Sequence, residues 1–170
     1  MPLRMTTAMI AALLLSTPAF AEITIADAYA RVASPAAKAG AIFLELHNSG
    51  DSDDRLVSAT STAAARVELH THIDQGGGVM KMTEIEGGIA VPANGMHLLQ
   101  RGGDHVMFMG LIESWHDGDV IPVTLTFEKA GDISFEVAVD LNRKPGMGMS
   151  HGAMKDGKMT HGGMKDGAMN

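Results

Sequence analysis

The sequence predicts an all-β domain, a sandwich or small barrel built of many short strands. Two observations predict it. Apolar and polar residues alternate with a period of two in runs such as "VTLTF" (123–127) and "ISFEVAV" (133–139), as in strands with one buried face. Gly, Pro, Asn and Asp break the chain between such runs, as turns do in sandwiches and barrels. The stretch 22–141 has too few residues for two good cores and reads as one domain.

In chain order, strands are expected near 23–32, 40–48, 55–61, 66–73, 79–84, 88–91, 96–100, 104–110, 120–129 and 133–139. "KAGD" at 129–132 reads as a tight hairpin between the last two. Ahead of them stands "MPLRMTTAMIAALLLSTPAFAEIT", with Arg4 in a short basic region, an apolar run from Ala8 to Leu15 and "AFA" at 19–21. This is the pattern of a secretory signal peptide over 1–21, with Glu22 as the first mature residue. The run is too short to span a bilayer, and no later segment is long and apolar enough to do so. The expected destination is a bacterial periplasm, with no membrane span in the mature chain.

The end of the chain, 142–170, has a different character. "SHGAMKDGKM" (150–159) is followed by "THGGMKDGAM" (160–169), a ten-residue repeat. Its glycines make ordering costly and it lacks core formers, so it is expected to be disordered in isolation. A plain linker has no need of regularly spaced donors. His151, Met154, Met159, His161, Met164 and Met169, preceded by Met147 and Met149, read as a metal-capturing arm.

Charge divides along the same boundary. From Glu22 to Leu141 there are 7 Lys/Arg against 18 Asp/Glu, whereas from Asn142 to Asn170 there are 5 against 2. The acidic body argues against nucleic acid as a partner and is compatible with a cation or a basic protein.

The chain contains no cysteine. A site for a soft metal must then be built from Met and His. Five methionines fall in the body, Met80, Met82, Met96, Met107 and Met109, all within one thirty-residue window. "VELHTH" puts His70 and His72 on one face of a strand, "GVMKMTE" does so for Met80 and Met82, and "DHVMFMG" for His105, Met107 and Met109. Neutral thioethers and imidazoles together suit Cu(I), a soft ion content with three or four ligands, better than Zn(II). Core packing is the competing reading for Met107 and, more strongly, for Met109. Of Met80 and Met82, one is expected to pack and the other to bind. His72 reads equally as a surface residue, and His47, His97 and His116 stand alone as exposed imidazoles.

Enzyme chemistry finds no support. There is no nucleophile elbow, and "GGG" at 76–78 lacks the Lys-Ser/Thr and helix of a phosphate loop. A blue-copper centre needs a thiolate, which is absent.

The chain resembles the periplasmic copper chaperones of the PCu(A)C type. The resemblance runs through "DAYARVASPAAKAGAIFLELHNSG", "VELHTH", "GVMKMTEIEGGIAVPANG" and "RGGDHVMFMGL…GDVIPVTLTFEKAG", essentially the whole body. It implies a cupredoxin-like Greek-key β-sandwich that holds one Cu(I) at an exposed site and serves the assembly of cytochrome c oxidase, notably the dinuclear centre of subunit II. It also implies a ligand set of His70, Met82, His105 and Met107, with Met109 as a packing residue or one behind the ligands. Where many relatives carry a Met close behind the first histidine, this chain has Thr71 and His72. Asp104 stands where the family is often aromatic, placed to attract a cation or hydrogen-bond His105. The tail resembles a second copper-binding region that accepts Cu(II) or further Cu(I). The expected function is therefore non-enzymatic: Cu(I) is held and passed by ligand exchange to oxidase subunit II or another copper-site assembly protein. A periplasmic copper buffer or resistance protein is the alternative, and a purely structural sandwich the third.

Overall fold

The computed structural model describes residues 23–144. The expected signal peptide and both ten-residue repeats lie outside the described residues. All ten expected strands are present: β1 (Ile23–Val32), β2 (Ala39–Asn48), β3 (Asp54–Thr60), β4 (Ala64–Asp74), β5 (Met80–Glu84), β6 (Ile89–Val91), β7 (Gly95–Leu99), β8 (His105–Leu111), β9 (Val120–Phe127) and β10 (Gly131–Ala138). The last hairpin is tighter than expected. β10 begins at Gly131, which pairs with Phe127 and has φ 75°, so a left-handed glycine opens the returning strand.

The strands form two sheets. The larger runs β1-β2-β8-β4-β5, with β7 also paired to β2, and the smaller runs β10-β9-β3-β6. The chain crosses repeatedly between them, giving the expected all-β sandwich. Inner-facing residues meet between the sheets: Ile42, Leu44, Leu46, Leu69, Val106 and Phe108 from the larger, Leu56, Val123, Leu125, Phe127 and Val137 from the smaller. Trp115 closes one end edge-on to Phe108, ring centroids 5.2 Å apart. Gly40 is required there, because a Cβ at this position would lie 2.6 Å from the Trp115 ring. At the other end, buried Asp54 accepts backbone N–H bonds from Arg55, Lys129 and Ala130 at 2.7–2.9 Å.

A β-bulge in β1 decides what the larger sheet shows to the outside. Register slips between Ala26, opposite Glu45, and Tyr29, opposite Phe43, and Asp27 at the slip has φ 49°. The extra residue reverses the alternation. Before it Ile23 and Ile25 pack on the core; after it Ala30 and Val32 do. Tyr29 and Arg31 are thereby turned to the outer face, beside Phe43 and Ala41. The chain beyond β10 then returns along β1, with Ala30 bridged in parallel to Val139.

Candidate metal centre

The outer face of the larger sheet gathers the donors. In β8, Val106 and Phe108 face the core, so His105 and Met107 project from the opposite face. Cross-strand pairing brings the other segments to them. His70 lies opposite His105, Glu68 opposite Met107, Ala41 opposite Met107 and His72 opposite Met82. Ala39, Gly40 and Ala41 are small, and above them opens a cavity of 330 Å³ that His72, Met82, His105 and Met107 line together with Phe43, Arg31 and Arg101. A larger cleft of 620 Å³ near Trp115 carries His116 but no thioether, and His116 is paired with Asp119.

His105 is 1% exposed although it faces outward, because rings surround it. Phe43, His70 and His72 have centroids 6.1, 6.0 and 5.1 Å from its own. Its Nδ1 lies 3.0 Å from the Gly103 carbonyl, so the proton sits on Nδ1 and Nε2 keeps a bare lone pair. Burial pushes its pKa below the ordinary imidazole value, against the upward pull of the Gly103 bond. The ring is thus kept neutral, the form that binds metal.

His70 is held in the complementary way. Its Nε2 donates to Glu68 Oε2 at 2.8 Å, and Glu68 is fixed in turn by Arg66 at 2.9 Å. Its Nδ1 is buried with no hydrogen-bond partner, and such an atom in a native fold calls for a ligand or a water. Two imidazoles therefore each present one unprotonated nitrogen, oriented by a bond at the other, as metal-binding histidines are. Among the described residues no group of three or more His, Asp and Glu is placed to hold a metal ion. A metal here needs the thioethers, and they suit a soft ion.

The fold distributes the expected site residues unevenly. Met82, His105 and Met107 share one cavity, while His70, opposite His105 on the neighbouring strand, does not line it; His72, which read equally as a surface residue, does. No local signal chose between the two histidines, since both share one strand face. Met109 receives an N–H from Arg66 at 3.4 Å. Asp104 bonds His97 at 2.9 Å rather than His105. Met80 is 51% exposed at the sheet edge and does not line the cavity. His151, Met154, Met159, His161, Met164 and Met169 lie outside the described residues.

Residues 23–139 match the family model "Putative lipoprotein LpqE-like". The chain belongs to the LpqE-like family. This LpqE-like chain is 37% identical over 87 residues to the "Putative lipoprotein Lxx21020" of Leifsonia xyli subsp. xyli (strain CTCB07), an alignment covering 51% of the chain. It spans about half of that curated relative, 52% of its length. Among solved structures the LpqE-like fold is that of PCuAC domains. The copper-bound PCuAC domain from PmoF2 superposes with a TM-score of 0.59 at 24% identity, covering 72% of this chain and 96% of that domain, a likeness of fold alone. CuI-DR1885 from Deinococcus radiodurans does so with a TM-score of 0.56 at 27% identity, covering 75% and 82%.

Proposed function

We propose that this protein is a periplasmic copper chaperone that holds Cu(I) through His70, Met82, His105 and Met107. The observation that carries the reading is the matched pair of imidazoles: Gly103 and Glu68 each hold one ring nitrogen of His105 and His70, leaving the other nitrogen of each bare, with Met82 and Met107 lining the cavity beside His105. All four donors are neutral, so the ion keeps its positive charge and stays attractive to thiolate or imidazole ligands of an acceptor. The work is ligand exchange and not catalysis. The likeness to CuI-DR1885 supports the same metal and oxidation state.

The acceptor we propose is the copper-bearing subunit II of cytochrome c oxidase, or another assembly protein for such centres. The His/Met repeats after residue 149 would collect Cu(II) through His151 and His161 and Cu(I) through Met154, Met159, Met164 and Met169, raising the effective copper concentration at the domain. Cu(I) titration of the chain from Glu22 onward, beside the His105→Ala and Met107→Ala variants, tests the site. Unchanged affinity in both variants sinks it. Transfer of copper to an apo subunit II domain tests delivery, and its absence leaves a copper buffer.

A further inference from the structure

We propose that His72 is the exchange ligand of the site: it takes the ion over from His70 and presents it, with Met82, to the acceptor. This rests on the copper reading above. Two imidazoles bound to one ion, each about 2 Å from it, have ring centroids about 4–6 Å apart. The His72–His105 separation of 5.1 Å and the His70–His105 separation of 6.0 Å both satisfy this. Either ring is therefore near enough to reach an ion held by His105, after a turn of the His72 ring away from its long Gly103 contact. Among the described residues no group of three or more His, Asp and Glu is placed to hold one ion, and in this proposal His70 and His72 serve in turn.

The two candidate rings differ in how firmly they are held. His70 is 12% exposed and tied to Glu68 at 2.8 Å. His72 has a long 3.4 Å contact from Nδ1 to the Gly103 carbonyl, at the weak limit of hydrogen bonding. That contact still favours the Nδ1 proton, and it leaves Nε2 able to bind without releasing one. The swap exchanges one neutral imidazole for another, so no charge moves apart from the ion itself.

Position gives the swap its direction. His72 lies opposite Met82, and β5 is the edge strand of its sheet. Met82 is 43% exposed, and Ile73, Val79 and Met80 of the same hairpin are 44–62% exposed. An ion moved from His70, 12% exposed, to His72 comes to the strand that pairs with the exposed edge, where an acceptor can reach it.

The test uses the chain from Glu22 to Asn170, loaded with substoichiometric Cu(I), and its His72→Gln and His70→Gln variants. Affinity is read by competition with a colorimetric Cu(I) chelator, and transfer by the rate at which that chelator gains copper. For His72→Gln the affinity stays within about threefold of the parent, while the transfer rate falls about tenfold or more. For His70→Gln the affinity itself falls about tenfold or more. A parental transfer rate in His72→Gln overturns the proposal, and so does a loss of affinity equal to that of His70→Gln, which would make His72 a fixed ligand. Failure of the parent chain to bind Cu(I) instead removes the copper reading, and this inference falls with it.

Discussion

The two sheets turn very different outer faces away from a shared core. The smaller sheet shows solvent what an antiparallel sandwich normally shows: half-buried Thr124 and Thr126 bonded to exposed Ser134 and Asp132 at 2.8 and 2.7 Å. The larger sheet carries Tyr29, Phe43, His105 and Met107 on its outer face. Phe43 and His105 there are nearly as buried as the core. The segment after β10 covers part of it, with Arg143 over the Tyr29 ring at 4.3 Å and Arg31 bonded to the Leu141 carbonyl at 2.9 Å. An outward face that buries Phe43 and His105 and sets half-buried Met107 beside them does nothing for the sandwich core. It is the face on which we propose that the copper ion is held.

The contrast can be broken first at what the two sheets share. Phe108→Ala empties the core between them and should cost about 3–5 kcal/mol, read by chemical denaturation as one cooperative loss of both sheets. Asp54→Ala takes the acceptor from three part-buried backbone N–H groups on the smaller sheet's side and should cost about 2–3 kcal/mol. Copper binding to the folded fraction should be unaltered, because Asp54 sits in β3, away from the site.

Substitutions on the outer faces sharpen the contrast. Met107→Ala should weaken Cu(I) binding about tenfold or more, whereas Thr126→Val on the smaller sheet should leave it unchanged in the same titration. Arg143→Ala removes the cation held over Tyr29 and paired with Asp27. We expect a loss of about 1 kcal/mol, seen as earlier thermal unfolding, with faster hydrogen exchange at the amide of Asp140, which bonds the Ala30 carbonyl.

The smallest effect concerns pH. His105 has a pKa below the ordinary imidazole value of 6.5 in the folded chain. On acidification the unfolded chain therefore takes up its proton first. This contribution to the stability of the metal-free protein is complete above pH 6.5 and is lost as pH falls from there through the folded value. His105→Gln should flatten that part of the stability–pH curve; an unaltered slope would mean that another group sets it.

Much of this was legible in the residues. The period-two runs and their turn residues marked all ten strands, because alternation and turn chemistry are local properties. The residue types open to a site were legible too, since a cysteine-free chain can offer a soft metal only His and Met, although core packing competed for Met107 and Met109. Where the donors stand was not legible. His70 and His72 share one strand face, and the β4–β5 register that sets His72 against Met82 depends on a glycine-rich loop whose closure no local rule dictates.

The sequence by itself therefore determined the all-β class, the strand list and the residue types that the chain can offer to a site. The parity change from Ile23 and Ile25 to Ala30 and Val32 was written there as well, but only the tertiary structure turned it into a bulge that sends Tyr29 outward to Phe43. Tertiary structure alone decided which nitrogen of His70 and of His105 is left bare, because that depends on Glu68 being anchored by Arg66 and on the Gly103 carbonyl turning toward the ring. Periodicity is set within a few residues of chain; the state of a lone pair is set by whatever the rest of the fold brings against it.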